Sequence, residues 1–468
     1  GNIYFDDLNT YTEMCAGQKS VINCKQSAGQ KSGINRGQDT SPESGIPHDQ
    51  SASQKIVQKV VDDAGEIISP DYKGGFMGYF SYDLKNYIEK LPVKAKKDLK
   101  MPVFYLCYYL KFLAFNHKNG RCYFIKNYRK LNDGANCHFT EHIRKDMSHE
   151  KQKIARLLAH NQGSCNQKIN DLIIKKYKAK QIGNPELISN FSKPDYIRAI
   201  LKAKEHIHNG DIYQANISQR FSCNIDVDSA DLYYMLRQKN SAPFCAYLSF
   251  PGLNIGCSSP ERFIFLKGRC VQTRPIKGTR PRGSNTAEDN SYIKELQESL
   301  KDHAELNMIV DLERNDLGRF CKYGTVNVKE NAVVEKYARV FHLVSTVTGQ
   351  MQEGYGHIDI IKAAFPGGSI TGAPKIRAME IIDSLEPTAR NIYTGSIGYI
   401  GLDGTMDLNI AIRTFVIKNK KFYYNVGGGI VEDSIPESEY RETLDKGRAL
   451  KETLEFFSQK NMDLLKDN

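Results

Sequence analysis

A lysine stands among arginines in TRPIKGTRPRG, residues 273–283. Lys277 has Arg274, Arg280 and Arg282 close by in sequence. A free lysine amine has a pKa of about 10.4, so at neutral pH it is almost wholly protonated. Neighbouring positive charge and burial both disfavour the charged form, and an amine without its proton is a nucleophile. The stretch therefore reads as a stiff turn that either meets an anion or activates its lysine.

Other residues could complete a reaction. In SSPERF, 258–263, Pro260 fixes the chain before Glu261 and Phe263. A carboxyl among apolar residues has a raised pKa and can act as a general acid; an exposed glutamate at a strand start has the same local sequence. In KDHAELNMIVDLERNDLGRF, 301–320, Asp302 and Glu305 fall three apart on one helix face. Glu439 and Glu442 repeat that spacing in ESEYRETLDKGRAL, 437–450. Two facing carboxylate pairs could hold Mg²⁺, which takes few protein oxygens, and each pair alone could equally be solvated helix charge. FPGGSITGAPK, 365–375, and NVGGGIV, 425–431, are glycine-rich and let a ligand approach the backbone. Arg413 interrupts the apolar run NIAIRTFVI, 409–417. A buried arginine calls for an anion, either a ligand carboxylate or a structural partner.

These residues need a scaffold. SKPDYIRAILKAKEHIHNG has a helix start at Ser192/Pro194 and a glycine stop at Gly210. DIYQANISQRF alternates, with Gln214, Asn216, Ser218 and Arg220 on one strand face and Tyr213, Ala215, Ile217 and Phe221 on the other. Strands are expected at 244–250, 254–258, 262–267, 339–349, 394–401, 407–418 and 421–427. Helices are expected at 231–239, 290–313, 357–364, 374–385 and 436–457. Strands and helices mix without strict βαβ alternation, which favours an α+β fold. Upstream, GGFMGYFSYDL reads as a strand, and 103–126 as strands paired about HKNG. The chain divides into an N-terminal region, 1–185, and a second region, 190–460. The first carries a flexible Gly/Ser/Gln-rich insertion at about 15–55 and a basic linker at about 140–185.

Bulk properties narrow the class. The 468 residues are 40% hydrophobic and 25% charged, as in soluble globular proteins. No apolar run reaches the roughly 18 residues of a membrane span, and no signal peptide is visible at GNIYFDDLNT. The 11 cysteines include no C-x-x-C pair, which fits reduced thiols in a cytoplasmic compartment rather than disulfides or zinc. The net charge of +11 is concentrated in residues 84–183, which hold 22 Lys/Arg against 7 Asp/Glu. No nucleic-acid motif accompanies them, so they read as a solvated surface.

Together the motifs closely resemble the chorismate-utilising enzymes, and within them the aminodeoxychorismate synthase component I branch. The resemblance is dense from about Lys193 to Leu454. It is carried by GDIYQANISQRF, SSPERF, RPIKGTRPR, ELNMIVDLERNDLGR, HLVSTVTG, FPGGSITGAPK, GSIGYI, IRT, GGGIVEDS and EYRETLDK. It implies two large antiparallel β-sheets packed as a sandwich with helices outside. It implies conversion of chorismate and ammonia to 4-amino-4-deoxychorismate, in para-aminobenzoate and folate biosynthesis. The ammonia would come from a glutamine amidotransferase subunit, component II, with no nucleic acid or membrane involved.

The resemblance also implies roles. Glu305 and Glu442 match the Mg²⁺ ligands, with Asp302 and Glu439 beside them. Arg413, Tyr399, Lys446 and the backbone of Gly427, Gly428 and Gly429 would hold the enolpyruvyl side of chorismate. The loop with Gly368, Ser369 and Thr371 would close the cavity. Glu261 matches the general acid, and His342 a histidine near the ring. Lys277 matches the nucleophile. Anthranilate synthases typically read P-I-A-G-T there, and isochorismate synthases typically carry lysine at Gln214. The remaining readings are an anthranilate synthase component I, or an inactive chorismate-binding relative. Family members usually begin with several tens of residues of strand and an L-L-E-S-type motif, to which little here corresponds.

Overall fold

The computed structural model describes residues 21–23, 72, 74–116, 121–126, 173–177, 185–337 and 340–458. The insertion expected at about 15–55 and the linker at about 140–185 lie outside the described residues, apart from Val21–Asn23 and Ile173–Tyr177. The stretch KIVQKVVDDAGEII, 55–68, whose pattern is helical, also lies outside them. Two compact units divide the chain. One comprises Gly1–Asp49, Gln58–Asn127 and Glu186–Thr453; the other comprises Gln50–Val57, Tyr128–Pro185 and Leu454–Asn468. In the second unit Tyr177 packs edge-on against Phe457. The first unit holds both large sheets.

Its early strands are β1 (Val21–Asn23), β2 (Gly75–Phe80), β3 (Phe104–Tyr109), β4 (Lys111–Asn116), β5 (Arg121–Lys126) and β6 (Ile188–Ser189). Then follow β7 (Gln214–Asn224), β8 (Phe244–Phe250), β9 (Leu253–Ser259), β10 (Arg262–Lys267), β11 (Cys270–Arg274), β12 (Ile276–Pro281), β13 (Asn327–Lys336) and β14 (Val340–Gln350). The last are β15 (Gly372–Ala373), β16 (Ser396–Gly401), β17 (Met406–Asn409), β18 (Thr414–Lys418) and β19 (Lys421–Ile430). The longer helices are α1 (Lys193–His208), α2 (Ser229–Lys239), α3 (Thr286–Glu298), α4 (Leu300–Gly318), α5 (His357–Ala364), α6 (Lys375–Leu385) and α7 (Pro436–Phe456).

A first sheet runs β1-β3-β2-β16-β17-β10-β11-β14-β12, with β13 also on β14. A second runs β15-β7-β19-β18-β9-β8, with β6 on β7. The pairs within both sheets are antiparallel. The sheets meet through a shared core in which Tyr79, Tyr105 and Ile397 of the first pack with Phe250, Ile255 and Val416 of the second. Helices cover the outer faces. Leu306, Val310 and Leu317 of α4 join Phe263 and Leu343 in one cluster. Tyr196 and Ile200 of α1 and Ile381 of α6 meet Ala215 and Ile217 of β7 in another. Each such fully buried aliphatic chain contributes about 1.5–3 kcal/mol. The fold is the α+β sandwich that the resemblance implied.

Local signals explain most elements. Ser192 caps α1 by accepting from the Asp195 N–H, Pro194 opens the helix, and Gly210 follows with φ 77°. Because Ala215 and Ile217 take the helix side of β7, Gln214, Asn216 and Ser218 point between the sheets and are buried. Their polar face is therefore no solvent face.

Three expectations are corrected. The helix expected over 290–313 is two helices. Ser299 ends α3 and caps α4, its hydroxyl accepting from the Asp302 N–H. The strand expected over 407–418 is also two, β17 in the first sheet and β18 in the second. An apolar run reads the same whether or not the chain changes sheets. Finally, Lys277 does not sit in a turn but on β12.

Candidate active site

Strand β12 carries Lys277 against Leu343 of β14, and the next partners in register are Thr279 and His342. The slip falls at Gly278, whose φ is 77°. A glycine of positive φ in an antiparallel pair is a bulge, and bulges re-aim the neighbouring side chain. A Cβ at Gly278 would lie 3.0 Å from the Asp302 carboxyl carbon, so any other residue is both strained and crowded.

The Lys277 amine is held below its ordinary pKa, first by burial and then by the Lys446 ammonium. Glu305, Glu261 and Glu442 pull the other way. The neighbouring arginines are not the cause, contrary to the sequence expectation. Arg274 pairs with Glu335, Arg280 with Glu295 at 2.7 Å and Asp302 at 3.1 Å, and Arg282 with Asp289 at 2.6 Å. Their charge is spent on carboxylates that the local sequence did not point to.

Glu261 follows Pro260 between β9 and β10 and is buried. Burial raises its pKa, while the flanking Ser369 hydroxyl, the Lys277 ammonium, the Ile276 backbone and the Lys446 ammonium lower it. The Ser369 hydroxyl lies beside the carboxyl without closing a full hydrogen bond. An amine pushed down and a carboxyl pushed up within electrostatic reach of each other form a nucleophile and an acid.

His342 is buried, with Nδ1 2.9 Å from the Thr279 hydroxyl. Burial, then Arg413, pushes its pKa down to about 4, so it is neutral at pH 7. Arg413 lies where the chain crosses from β17 to β18, with φ 52°, a conformation costing a non-glycine residue about 1–3 kcal/mol. Burial lowers its pKa against an opposing influence of Tyr393. Among the described residues no carboxylate pairs with it. A half-buried cation with no carboxylate beside it is poised for an anion.

Glu305 of α4 and Glu442 of α7 each have a lysine: Lys301 stands 3.9 Å from Glu305, and Lys446 2.5 Å from Glu442. Lys446 also donates to the Gly427 carbonyl at 3.2 Å. Burial pushes Glu442 up, but Lys446, Lys301 and Lys277 outweigh it and hold it below the usual range. Glu439 is buried and accepts from the Ser434 hydroxyl at 2.7 Å; burial, reinforced by Glu442, raises its pKa. Asp302 is taken up by Arg280. The two helices thus bring Glu305, Glu439 and Glu442 to one cation-rich place, while Asp302 serves an ion pair. No cluster of three metal-ligating side chains forms among the described residues. Carboxylate oxygens from two helices, both within the influence of Lys301, nonetheless match what Mg²⁺ accepts.

The glycine run of β19 lies beside β7. A Cβ at Gly427 would come within 2.6 Å of the Ile217 carbonyl, and one at Gly429 within 2.9 Å of the Gln214 amide nitrogen. A Cβ at Gly428 would face the other way, 3.2 Å from Glu439 Oε2. Both polar atoms of Gln214, together with Asn216 Oδ1, are buried and unpartnered, and such orphan groups cost about 1–3 kcal/mol unless a ligand meets them. The Gly368–Ile370 turn is docked on this strand: the Asn216 N–H donates to the Thr371 carbonyl at 2.8 Å, and the Thr371 hydroxyl to the Gly367 carbonyl at 3.0 Å. The Tyr399 ring, on β16, lies 4.9 Å from that of Tyr72.

Sequence reasoning missed the device behind this face. Arg390 donates to Glu386 at 2.7 Å, to the Ile370 carbonyl at 3.1 Å and to the Asn216 carbonyl. Glu386 in turn accepts from the Ser218 N–H at 2.8 Å and hydroxyl at 2.9 Å. The i,i+4 spacing of EPTAR was visible, but burial of both charges was not.

The model of the chorismate binding enzyme family matches residues 3–452. The chain belongs to the chorismate-binding enzymes. Aminodeoxychorismate synthase component 1 of Bacillus subtilis (strain 168) is 38% identical over 82% of this chain and 78% of its own length. Anthranilate synthase component 1 of Acetivibrio thermocellus is 37% identical over 82% of this chain and 76% of its own. Among solved structures, anthranilate synthase component I from Streptococcus pneumoniae TIGR4 aligns with a TM-score of 0.69 at 28% identity, over 83% of this chain and 87% of that one. Overall identity does not separate the two chorismate-binding activities, so the residues at the site must.

Proposed function

We propose that this chain aminates chorismate to 4-amino-4-deoxychorismate, as component I of an aminodeoxychorismate synthase. The observation that carries the reading is the amine of Lys277, held below its ordinary pKa on a bulged strand within reach of the buried acid Glu261. In the first half-reaction the neutral Lys277 amine adds at C2 of chorismate. The ring double bond shifts, and the C4 hydroxyl leaves as water with the proton of Glu261. In the second, ammonia attacks C4 and Lys277 departs as an amine. Splitting one difficult displacement into two is what covalent catalysis supplies.

Arg413 would pair with the carboxylate of the enolpyruvyl group, with Lys446 and the backbone of Gly427, Gly428 and Gly429 beside it. Gln214, Asn216 and the Gly368–Thr371 turn would line the rest. His342, being neutral, orients rather than exchanges protons with substrate. Glu305 and Glu442, with Glu439 next to them, would hold Mg²⁺, which would bind the ring carboxylate and neutralise it. The pairing of Lys301 with Glu305 and of Lys446 with Glu442 supports a cation at this place.

Ammonia would come from a glutamine amidotransferase partner. No helix among the described residues is long and apolar enough to cross a membrane, and the described cysteines are free thiols, which suits a reducing cytoplasm. The test is product analysis of chorismate with an ammonium salt and Mg²⁺. Aminodeoxychorismate is expected; pyruvate with an aromatic amine would make the chain an anthranilate synthase.

A further inference from the structure

Behind Glu261 lies a buried acidic file that the amination chemistry does not use. Glu313 of α4 accepts from the Thr273 hydroxyl at 2.8 Å. Both line a cavity of about 10 Å³ together with Asp316, Gly367 and Gly368, room for about one water. Gly368 precedes Ser369, the residue flanking Glu261. On the far side Asp316 pairs with Lys375 at 2.5 Å. Glu261, Glu313 and Asp316 are each less than a tenth exposed. Burial holds Glu313 well above the usual carboxylate range against the opposing Thr273 hydrogen bond, and the charges of Glu261 and Asp316 push it further up, opposed by Lys375. Lys277 and Lys446 face Glu261 from the other side, and Arg319 acts on Asp316 with Lys375.

We propose that Glu313 is a proton carrier that resets Glu261 between turnovers. The inference rests on the chorismate-amination reading. Glu261 gives its proton to the departing C4 oxygen, which leaves as water. Ammonia forms the new C–N bond and keeps its three protons as the product's ammonium group, while Lys277 departs as a neutral amine. Glu261 therefore ends each cycle as a carboxylate, one proton short. Glu313 hands over its own through a water in the cavity and takes a replacement from solvent, so the cycle consumes one proton. No bond to carbon and no electron transfer is involved in the reset. Glu313 thus acts through Glu261, as a positioning residue for the proton.

The test compares the first turnover with later ones. Glu313→Gln keeps the shape and the contact with Thr273 but cannot carry a proton. With chorismate, ammonium and Mg²⁺, its first turnover should match the parent. Later turnovers should slow by about tenfold or more, so a burst of one product per enzyme appears that the parent lacks. The slowing should deepen as pH rises and solvent protons thin out, and Glu313→Asp should recover part of the rate. Thr273→Val, which leaves the carboxyl but removes its hydroxyl partner, should show a smaller burst and carries the test if the glutamine variant fails to fold. Parent-like steady-state rate and pH profile would overturn the proposal, as would equal slowing of first and later turnovers. If the parent itself yields no aminodeoxychorismate, the amination reading fails and the reset with it. If the parent yields it and neither variant shows a burst, the reset alone fails.

Discussion

The Thr279 hydroxyl meets Nδ1 of His342 at 2.9 Å, one bulge away from Lys277. Burial, and after it the Arg413 charge, leaves His342 a neutral ring down to about pH 4. The pH dependence of turnover should therefore belong to other groups. Lys277 must be neutral to attack, so the rate falls as pH drops through its lowered pKa. Glu261 must be protonated to donate, so the rate falls as pH climbs through its raised one. Both limbs should lie between the ordinary values of 4.5 and 10.5. His342→Asn should lower the rate and leave both limbs where they were. A shifted limb in that variant would show that the imidazole titrates in the reaction.

Lys277 should carry an adduct. Chorismate and Mg²⁺ without ammonia allow the first half-reaction and deny the second. Mass spectrometry of quenched protein should then find added mass on the peptide containing Lys277. Lys277→Ala should show none, and neither should Lys277→Arg, whose guanidinium keeps its proton. Parent-like turnover by the arginine variant would reduce the lysine to a charge.

Glu305→Gln and Glu442→Gln keep side-chain shape and remove one anion each. Each should weaken Mg²⁺-dependent chorismate binding by about tenfold or more, since a hard cation favours carboxylate over amide oxygen. Calorimetric titration with and without Mg²⁺ measures this directly. Asp302→Asn should affect Mg²⁺ far less, because that carboxylate already serves Arg280. Equal effects in all three variants would contradict the assignment.

Arg413 joins a strained backbone to a half-buried charge that no described carboxylate pairs. Arg413→Met should weaken chorismate binding by roughly tenfold to a hundredfold, the scale of a charge-assisted hydrogen bond of about 1.5–3 kcal/mol. It should at the same time leave the free protein as stable as the parent or more so. Thermal melts of the unliganded proteins decide the second half. A variant that loses both binding and stability would mark Arg413 as a structural residue.

Arg390 should behave oppositely. Its removal leaves Glu386 buried without its cation, so Arg390→Met should cost about 3–5 kcal/mol, read from urea unfolding. A loss below about 1 kcal/mol would mean that water reaches the pair and that the Ile370 turn is held some other way.

How much of this was legible beforehand depended on distance along the chain. Helix α1 was readable because Ser192, Pro194 and Gly210 are local signals. The inward face of β7 was readable as a polar stripe, but only its packing against helices showed that the stripe points between the sheets. The break at Arg413 was hidden, because NIAIRTFVI has a strand composition on both sides of it. Lys277 drew attention from its own neighbours, yet the cause of its lowered pKa was misjudged. The carboxylates that neutralise the arginines come from Asp289, Glu295, Asp302 and Glu335, whose pairing only the tertiary fold reveals. Burial of Glu386 and Arg390 was hidden for the same reason.

Strand β2 lies inside the first sheet, between β3 and β16, with Phe80 opposite Ser396. A ribosome therefore completes more than three hundred residues between two strands that must be neighbours. Until Ser396–Gly401 emerges, the edge of Gly75–Phe80 has no partner on that side, and sheet closure waits for nearly the whole chain. Such long-range pairing slows folding and leaves strand edges open meanwhile. A fragment beginning near residue 190 would keep Lys277, Glu261 and the carboxylate helices, yet would expose β16 as a bare edge. Aggregation during synthesis, rather than loss of chemistry, is the expected fate of that fragment.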